Sequence, residues 1–317
     1  MSDIWKDYVL QVISVIDEYR DSQHANIAVV GIYGSKLRKR AYRLRVYVNG
    51  GKAMEIPLNP RGDFSFAISY LDQKDENGEW KYFSAEDHDK IEEFIDEAKT
   101  DNYRWKRDNF ESLRTYLSLI EKATSLKFGK LAGSLGDEEK ERCRQVALYN
   151  DLRKSKGLGD LLLFDMEFQS ILEMNYTQTE RDEMRKKGGI RKAHCGKPDY
   201  LAVSSKGFSL VELKTNEAAL TGLAGLENHH RDLDRMIRIN KRNHVLVREL
   251  VERLSYAREY GLVEGSQVDK ILAVPEKDVK RIEIGKTFIF QTNANLSRER
   301  CEDYISKMHI EGISIIL

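Results

Sequence analysis

The chain has 317 residues with 52 basic and 52 acidic side chains and no formal net charge, so no global field draws it to nucleic acid or an anionic surface; such binding must come from local patches. Its 41% hydrophobic and 33% charged content excludes a disordered chain and leaves room for two domains, each with its own core. No run approaches the roughly eighteen apolar residues of a membrane span. Cys143, Cys195 and Cys301 form neither a C-x-x-C pair nor a zinc spacing, which excludes a disulfide scaffold and a zinc module. The N-terminus carries acids where a signal peptide would be basic, and a reduced, cytoplasmic protein without a membrane partner is expected.

Apolar residues at Ile4, Val9, Val12, Ile13 and Ile16 predict an amphipathic helix from Ile4 to about Tyr19. Four β-like segments follow at Ile27–Tyr33, Tyr42–Val48, Ala53–Leu58 and Phe64–Tyr70, with Asn49-Gly50-Gly51 and Asn59–Asp63 as turns. They predict a small antiparallel meander packed by flanking helices. Gly31-Ile-Tyr-Gly-Ser-Lys36 lacks the spacing with which a phosphate-binding loop wraps its ligand, so it reads as a turn between strands. The basic run Lys36, Arg38, Lys39, Arg40, Arg43 and Arg45 suits either nucleic acid or a solvated turn and strand face.

From Ser84 the pattern becomes helical. Ile91, Phe94, Ile95 and Ala98 mark one face, and Phe110, Leu113, Leu117 and Ile120 mark another after a break near Thr100–Asn102. The glycine-rich Gly129–Gly136 is the expected domain boundary, giving an N-terminal β-rich and helical domain over 1–135 and a second domain over 136–317. The second domain starts with a helix at Asp137–Asn150. Another is expected at Leu161–Glu173, capped by Asp160, because Leu161, Phe164, Phe168 and Ile171 lie along one side at about 100° per residue. Glu167 falls at the border of that apolar face, where a carboxylate needs a positive partner. The basic, glycine-interrupted Arg181–His194, with Lys186, Lys187, Arg191 and Lys192, is either a loop contacting phosphates or a solvated one.

The stretch Lys197–Lys214 reads as two short strands around a turn. Leu201, Val203, Phe208, Leu210, Val211 and Leu213 supply apolar and β-branched content, and Ser204–Gly207 the turn. Folding at Ser205–Gly207 sets Asp199 opposite a position between Glu212 and Lys214. Strand alternation then puts Glu212 and Lys214 on one face and Val211 and Leu213 on the other. Two carboxylates, a neighbouring backbone carbonyl such as that of Leu213, and waters can hold Mg²⁺ or Mn²⁺. Such an ion polarises a phosphoryl oxygen and acidifies a bound water. Lys214 can steer that water or offset charge on the phosphate.

A helical region reaches about Tyr260. In it Arg231, Arg235, Arg238 and Arg242 fall within about 60° of each other, opposite Leu233 and Ile237. This stripe can track a phosphate backbone, or Asp232 and Asp234 can turn it toward neighbouring helices. The adjacent His229 and His230 face different directions on a helix, which argues against a two-histidine metal site and for hydrogen-bonded structural histidines. Lys270–Val274, Thr287–Gln291 and Gly312–Leu317 are expected strands, with a helix at Ser297–Met308 capped by Ser297. Together these extend a mixed sheet around the hairpin.

Pro198-Asp199, a twelve-residue spacer and Glu212-Leu213-Lys214 between hydrophobic strands resemble the signature of the PD-(D/E)XK nuclease superfamily. The resemblance implies an α/β fold: a C-terminal mixed β-sheet flanked by helices, preceded by the β-meander and helical domain as a sensing or regulatory part. It implies a Mg²⁺- or Mn²⁺-dependent endonuclease acting on nucleic acid, with DNA expected. Asp199, Glu212 and Lys214 would be catalytic, and Asp199, Glu212 and the Leu213 carbonyl would bind metal. By the same resemblance Glu167 would add a helical acid, with Glu173 or no helical acid as alternatives. Glu167-Phe-Gln-x-x-Leu-Glu-x-Asn175 with Lys197-Pro-Asp and Val211-Glu-Leu-Lys looks like the nuclease domain of Shedu anti-phage proteins over about 160–290, which implies a homo-oligomer. Other restriction or repair nucleases of the superfamily stay open. So do a catalytically silent nucleic-acid-binding module and a scaffold of a defence complex.

Overall fold

The computed structural model describes residues 3–35, 40–62, 64–67, 71, 74–81, 83, 85–100, 110–128, 137–153, 158–166, 179, 197–221, 225–293, 296–308 and 313–317. The protein is α/β, with an antiparallel four-stranded sheet and a mixed five-stranded sheet. Among the described residues no helix is long and apolar enough to cross a membrane. The chain divides into two compact units, Met1–Asn150 and Asp151–Leu317.

In the first unit α1 (Asp3–Gln23) buries Trp5, Val9, Val12, Ile13 and Ile16. Ile4 is instead 79% exposed, because Trp5 takes the core-facing position at the helix start. Strands β1 (Ile27–Ser35), β2 (Arg40–Val48), β3 (Gly51–Pro57) and β4 (Ser65–Phe66) form the expected meander in that order. Val48 pairs with Gly51, and Asn49 and Gly50 have φ of 49° and 90°. That is the two-residue geometry for which Asn-Gly is favoured. Helices α2 (His88–Thr100) and α3 (Phe110–Phe128) follow; the break read between them lies outside the described residues.

Helix α4 (Asp137–Leu152) is tied to this unit. Asn26 Nδ2 donates to Cys143 O at 2.9 Å, and Asn150 Nδ2 donates to Ile27 O at 2.7 Å. A Cβ on Gly50 would meet the Arg142 backbone at 2.7 Å. The compact units therefore divide after Asn150, whereas the glycine-rich stretch divides the sequence before α4.

In the second unit the sheet order is β5 (Leu162–Met166), β6 (Tyr200–Ser204), β7 (Gly207–Lys214), β8 (Glu283–Phe290) and β9 (Ile313–Ile316). The pairs β5–β6 and β6–β7 are antiparallel; β7–β8 and β8–β9 are parallel. Between β7 and β8 lie α5 (Leu226–Asn243), α6 (Val245–Glu259) and α7 (Ser266–Leu272), and α8 (Arg298–Met308) links β8 to β9. His244, with φ of 54°, separates α5 from α6, and Ser297 Oγ accepts the Arg300 N–H as the N-cap of α8.

Two expectations are corrected. The helix expected at Leu161–Glu173 is a strand over Leu162–Met166, buried at all five positions. Its acid that meets a cation in the core is Asp165, 2.9 Å from Arg253 Nη1. The strand expected at Lys270–Val274 lies largely in α7, which buries Val268 and Ile271 one helical step apart. In both, a short apolar run fits either period, and tertiary packing decides.

Candidate functional site

The hairpin β6–β7 closes through the two residues Ser205 and Lys206, with Ser204 paired to Gly207. Asp160 braces this turn, its Oδ2 accepting the Ser205 backbone N–H at 2.7 Å and the Ser205 hydroxyl. These hydrogen bonds hold the Asp160 carboxyl below its usual range. Tyr200 pairs with Val211, so continuing the register sets Asp199 opposite Glu212. The sequence reading of a longer turn put it one position further on. Gly207 is required by packing as well as by its φ of 155°: a Cβ there would lie 2.2 Å from Glu283 O on the paired strand.

All eight residues of β7 are buried. Asp199 Oδ2 accepts the Leu213 N–H at 2.7 Å, which anchors this acid across the end of the hairpin. N–H and C=O of one strand residue point to the same side, so the Leu213 carbonyl faces the Asp199 side. Lys214 instead turns its carbonyl to the Gln291 N–H beyond β8, at 2.9 Å. Glu212 is 1% exposed. Its Oε2 is 3.4 Å from Lys214 Nζ, whose side chain is 4% exposed, and 2.6 Å from His229 Nδ1. Among the described residues its Oε1 is buried without a hydrogen-bond partner. The structure thus pairs Glu212 with Lys214 on one strand face, as the alternation required, and ties Asp199 to the Leu213 backbone.

Helix α5 brings in residues that the sequence reading did not assign to the site. His229 lies in its first turn and reaches Glu212, while the adjacent His230 faces Lys286 Nζ at 3.3 Å and the Phe288 ring. The expectation of separate, hydrogen-bonded histidines holds for the pair; what sequence lacked was the phase of α5 against β7. Asp232 stands one turn beyond His229, and Arg235 Nη1 binds it at 2.9 Å. Burial pushes the Asp232 carboxyl up, Arg235 and His229 pull it down, and the Glu212 charge pushes it up again. Asp232 is therefore an acid within electrostatic reach of Glu212.

Along the arginine stripe Arg231 is exposed and Arg235 half-buried. Arg231 bonds Asn228 and lies 3.9 Å from Glu227, and Arg235 is paired to Asp232. Arg238 and Arg242 are exposed. The buried side of α5 is Leu226, Leu233, Met236, Ile239 and Asn240, with Ile237 only half-buried. Glu167, Glu173, Lys186, Lys187, Arg191 and Lys192 lie outside the described residues.

Among the described residues no group of three or more His, Cys, Asp or Glu is arranged to hold a metal ion. Two carboxylates with a backbone carbonyl nevertheless suffice for Mg²⁺, which commonly takes one or two carboxylates and completes its shell with water and substrate phosphate. The unpartnered Glu212 Oε1 fits that donor set. A buried carboxylate oxygen without a partner carries a desolvation penalty of about 1–3 kcal/mol or more, which a cation would offset. Comparison of the chain with protein-family models, curated proteins and solved structures gave no match.

Proposed function

We propose that the protein is a metal-dependent endonuclease that hydrolyses phosphodiester bonds of nucleic acid, with DNA as the first substrate to test. One observation carries the reading: Glu212 is buried to 1% exposure with an unpartnered Oε1, on the strand that also bears the buried Lys214. Buried polar atoms are paired in the large majority of cases, so this oxygen calls for a water or an ion.

Asp199, Glu212 and the Leu213 carbonyl would hold the ion, as the superfamily resemblance implies. Bound there, Mg²⁺ or Mn²⁺ supplies Lewis acidity toward a phosphoryl oxygen and an acidified water. Lys214 stands beside Glu212 in a site shielded from water, where an ammonium would act strongly on charge developing at phosphorus. The exposed Arg238 and Arg242 supply charge for the phosphate backbone, a contact that positions nucleic acid without reading sequence. Membership of the Shedu group, with homo-oligomeric assembly and a role in anti-phage defence, belongs to this proposal through the resemblance over 160–290.

Incubation of the full chain with linear, circular and single-stranded DNA and with RNA, in Mg²⁺, Mn²⁺ or EDTA, tests the reading. Cleavage with metal and none in EDTA or in Asp199→Ala is expected. A gel shift that persists in chelator without cleavage would make the protein a binding module, and no shift at all would make it a scaffold.

A further inference from the structure

Glu212 has three polar neighbours to satisfy with two oxygens: the Lys214 ammonium, the His229 imidazole and the ion that the nuclease reading requires. Both protein groups converge on one oxygen, Oε2, at 3.4 Å and 2.6 Å. The other oxygen is buried and unpartnered. An ionised carboxylate, the form that binds a cation, accepts hydrogen bonds and cannot donate, so in that form His229 Nδ1 carries the hydrogen in this contact. The shorter contact fixes the plane of the carboxylate. Without it, Lys214, two residues along the same strand face, is the remaining partner and can draw both oxygens toward its ammonium.

The imidazole is itself held. It projects from the first turn of α5, and that helix is fastened over β8 by Lys286 Nζ to Asp234 Oδ1 at 2.6 Å, with His230 against Phe288. Asp232, braced by Arg235, adds negative charge one helical turn from the ring. His229 therefore comes from the crossover between β7 and β8 and orients a side chain of β7. Hydrogen bonds to metal-binding carboxylates act in this way, by aiming the ligand rather than by touching the ion.

We infer that His229 is a positioning residue of this centre, holding Glu212 Oε2 so that Oε1 is the oxygen presented to a divalent cation. The inference rests on the nuclease reading for its metal, and it concerns a residue outside the acidic and lysine signature. It separates two roles on one carboxylate: Lys214 faces the reaction, and His229 fixes the ligand.

The test is calorimetric titration of the full chain with Mg²⁺ and Mn²⁺, without nucleic acid, in wild type, His229→Phe and His229→Asn. Phe keeps the ring and removes the donor; Asn places an amide near the Nδ1 position. Affinity should fall about 10–100-fold in His229→Phe, the range for outer partners of metal ligands, and largely return in His229→Asn. In cleavage assays the metal concentration for half-maximal rate should rise in His229→Phe, while the rate at saturating metal falls far less. Wild type that binds metal with His229→Phe binding equally well overturns this inference and leaves the nuclease reading standing. Wild type that binds no divalent ion overturns the nuclease reading and the inference with it. Should His229→Phe fail to fold, His229→Gln replaces it: its amide reaches past the Nδ1 position, so affinity equal to that of His229→Asn overturns the inference.

Discussion

Two glutamates on two strands show how differently the same charge can be housed. Glu55 on β3 gathers Lys52 Nζ at 2.9 Å, Arg45 Nε at 3.8 Å and Arg43 Nη1 at 3.9 Å on a face where Lys52 is 48% exposed. Glu212 on β7 gathers one lysine and one histidine where both the acid and the lysine are nearly water-free, and leaves an oxygen unmatched. The first arrangement oversupplies positive charge at the border of solvent, with Glu55 13% exposed and Lys52 48% exposed. The second undersupplies partners where screening is weakest. Charged strands are ordinary when one face is wet, and Asp165 shows that a buried acid can be matched by Arg253; it is burial together with an unmatched oxygen that marks β7 as the candidate site.

The comparison breaks most sharply on stability. Glu212→Ala leaves the Lys214 ammonium buried without its carboxylate, and removing one partner of a buried pair costs about 3–5 kcal/mol. Glu55→Ala should cost less than that, because the Lys52 it releases is 48% exposed and can turn to water. Urea unfolding of the two variants measures both, and equal midpoints would erase the distinction drawn here.

A second difference concerns rate. Lys214→Ala should fold, still bind metal and nucleic acid, and lose cleavage by about 10²–10³-fold, the scale for a single preorganised electrostatic group. Lys52→Ala should change stability by no more than about 0.5 kcal/mol and leave cleavage intact. A Lys214→Ala protein that cuts at the wild-type rate would remove the central argument for the site.

The smallest effect sharpens the contrast within α5. Arg235 is committed to Asp232, whereas Arg238 is exposed. Arg238→Ala should lower the slope of log affinity against log salt by about 1, the contribution of one phosphate contact, with similar losses across sequences. Arg235→Ala should change that slope less. Equal slopes in wild type and Arg238→Ala would make the stripe a solvated helix face.

The hairpin was legible because alternation and turn residues coincide over Tyr200–Lys214, and alternation alone put Glu212 and Lys214 together. Its register was legible only to one residue. A turn closing on Ser205–Lys206 or on Ser205–Gly207 suits the same letters, and what requires Gly207 is a carbonyl of Glu283, far along the chain. Leu162–Met166 was read with the wrong period because a fully buried strand shows no polar face to alternate with. His229 was legible as a residue that would find a hydrogen bond. Its partner depends on how α5 lies over β7, which no local pattern encodes.

The parallel pairing of β7 with β8 has a consequence in time. Asp199 reaches the Leu213 N–H through a hairpin closed by two residues, the kind of contact that costs little chain entropy and forms in microseconds. The crossover that begins with α5 ends in β8, which pairs with β7 residue by residue from Gly207–Glu283 to Lys214–Phe290. Contacts at that separation close a long loop and set the pace of folding. The hairpin and the nearby His229 thus belong to the part of the chain that assembles locally, and β8, which pairs along the other edge of β7, joins only when that long loop has closed.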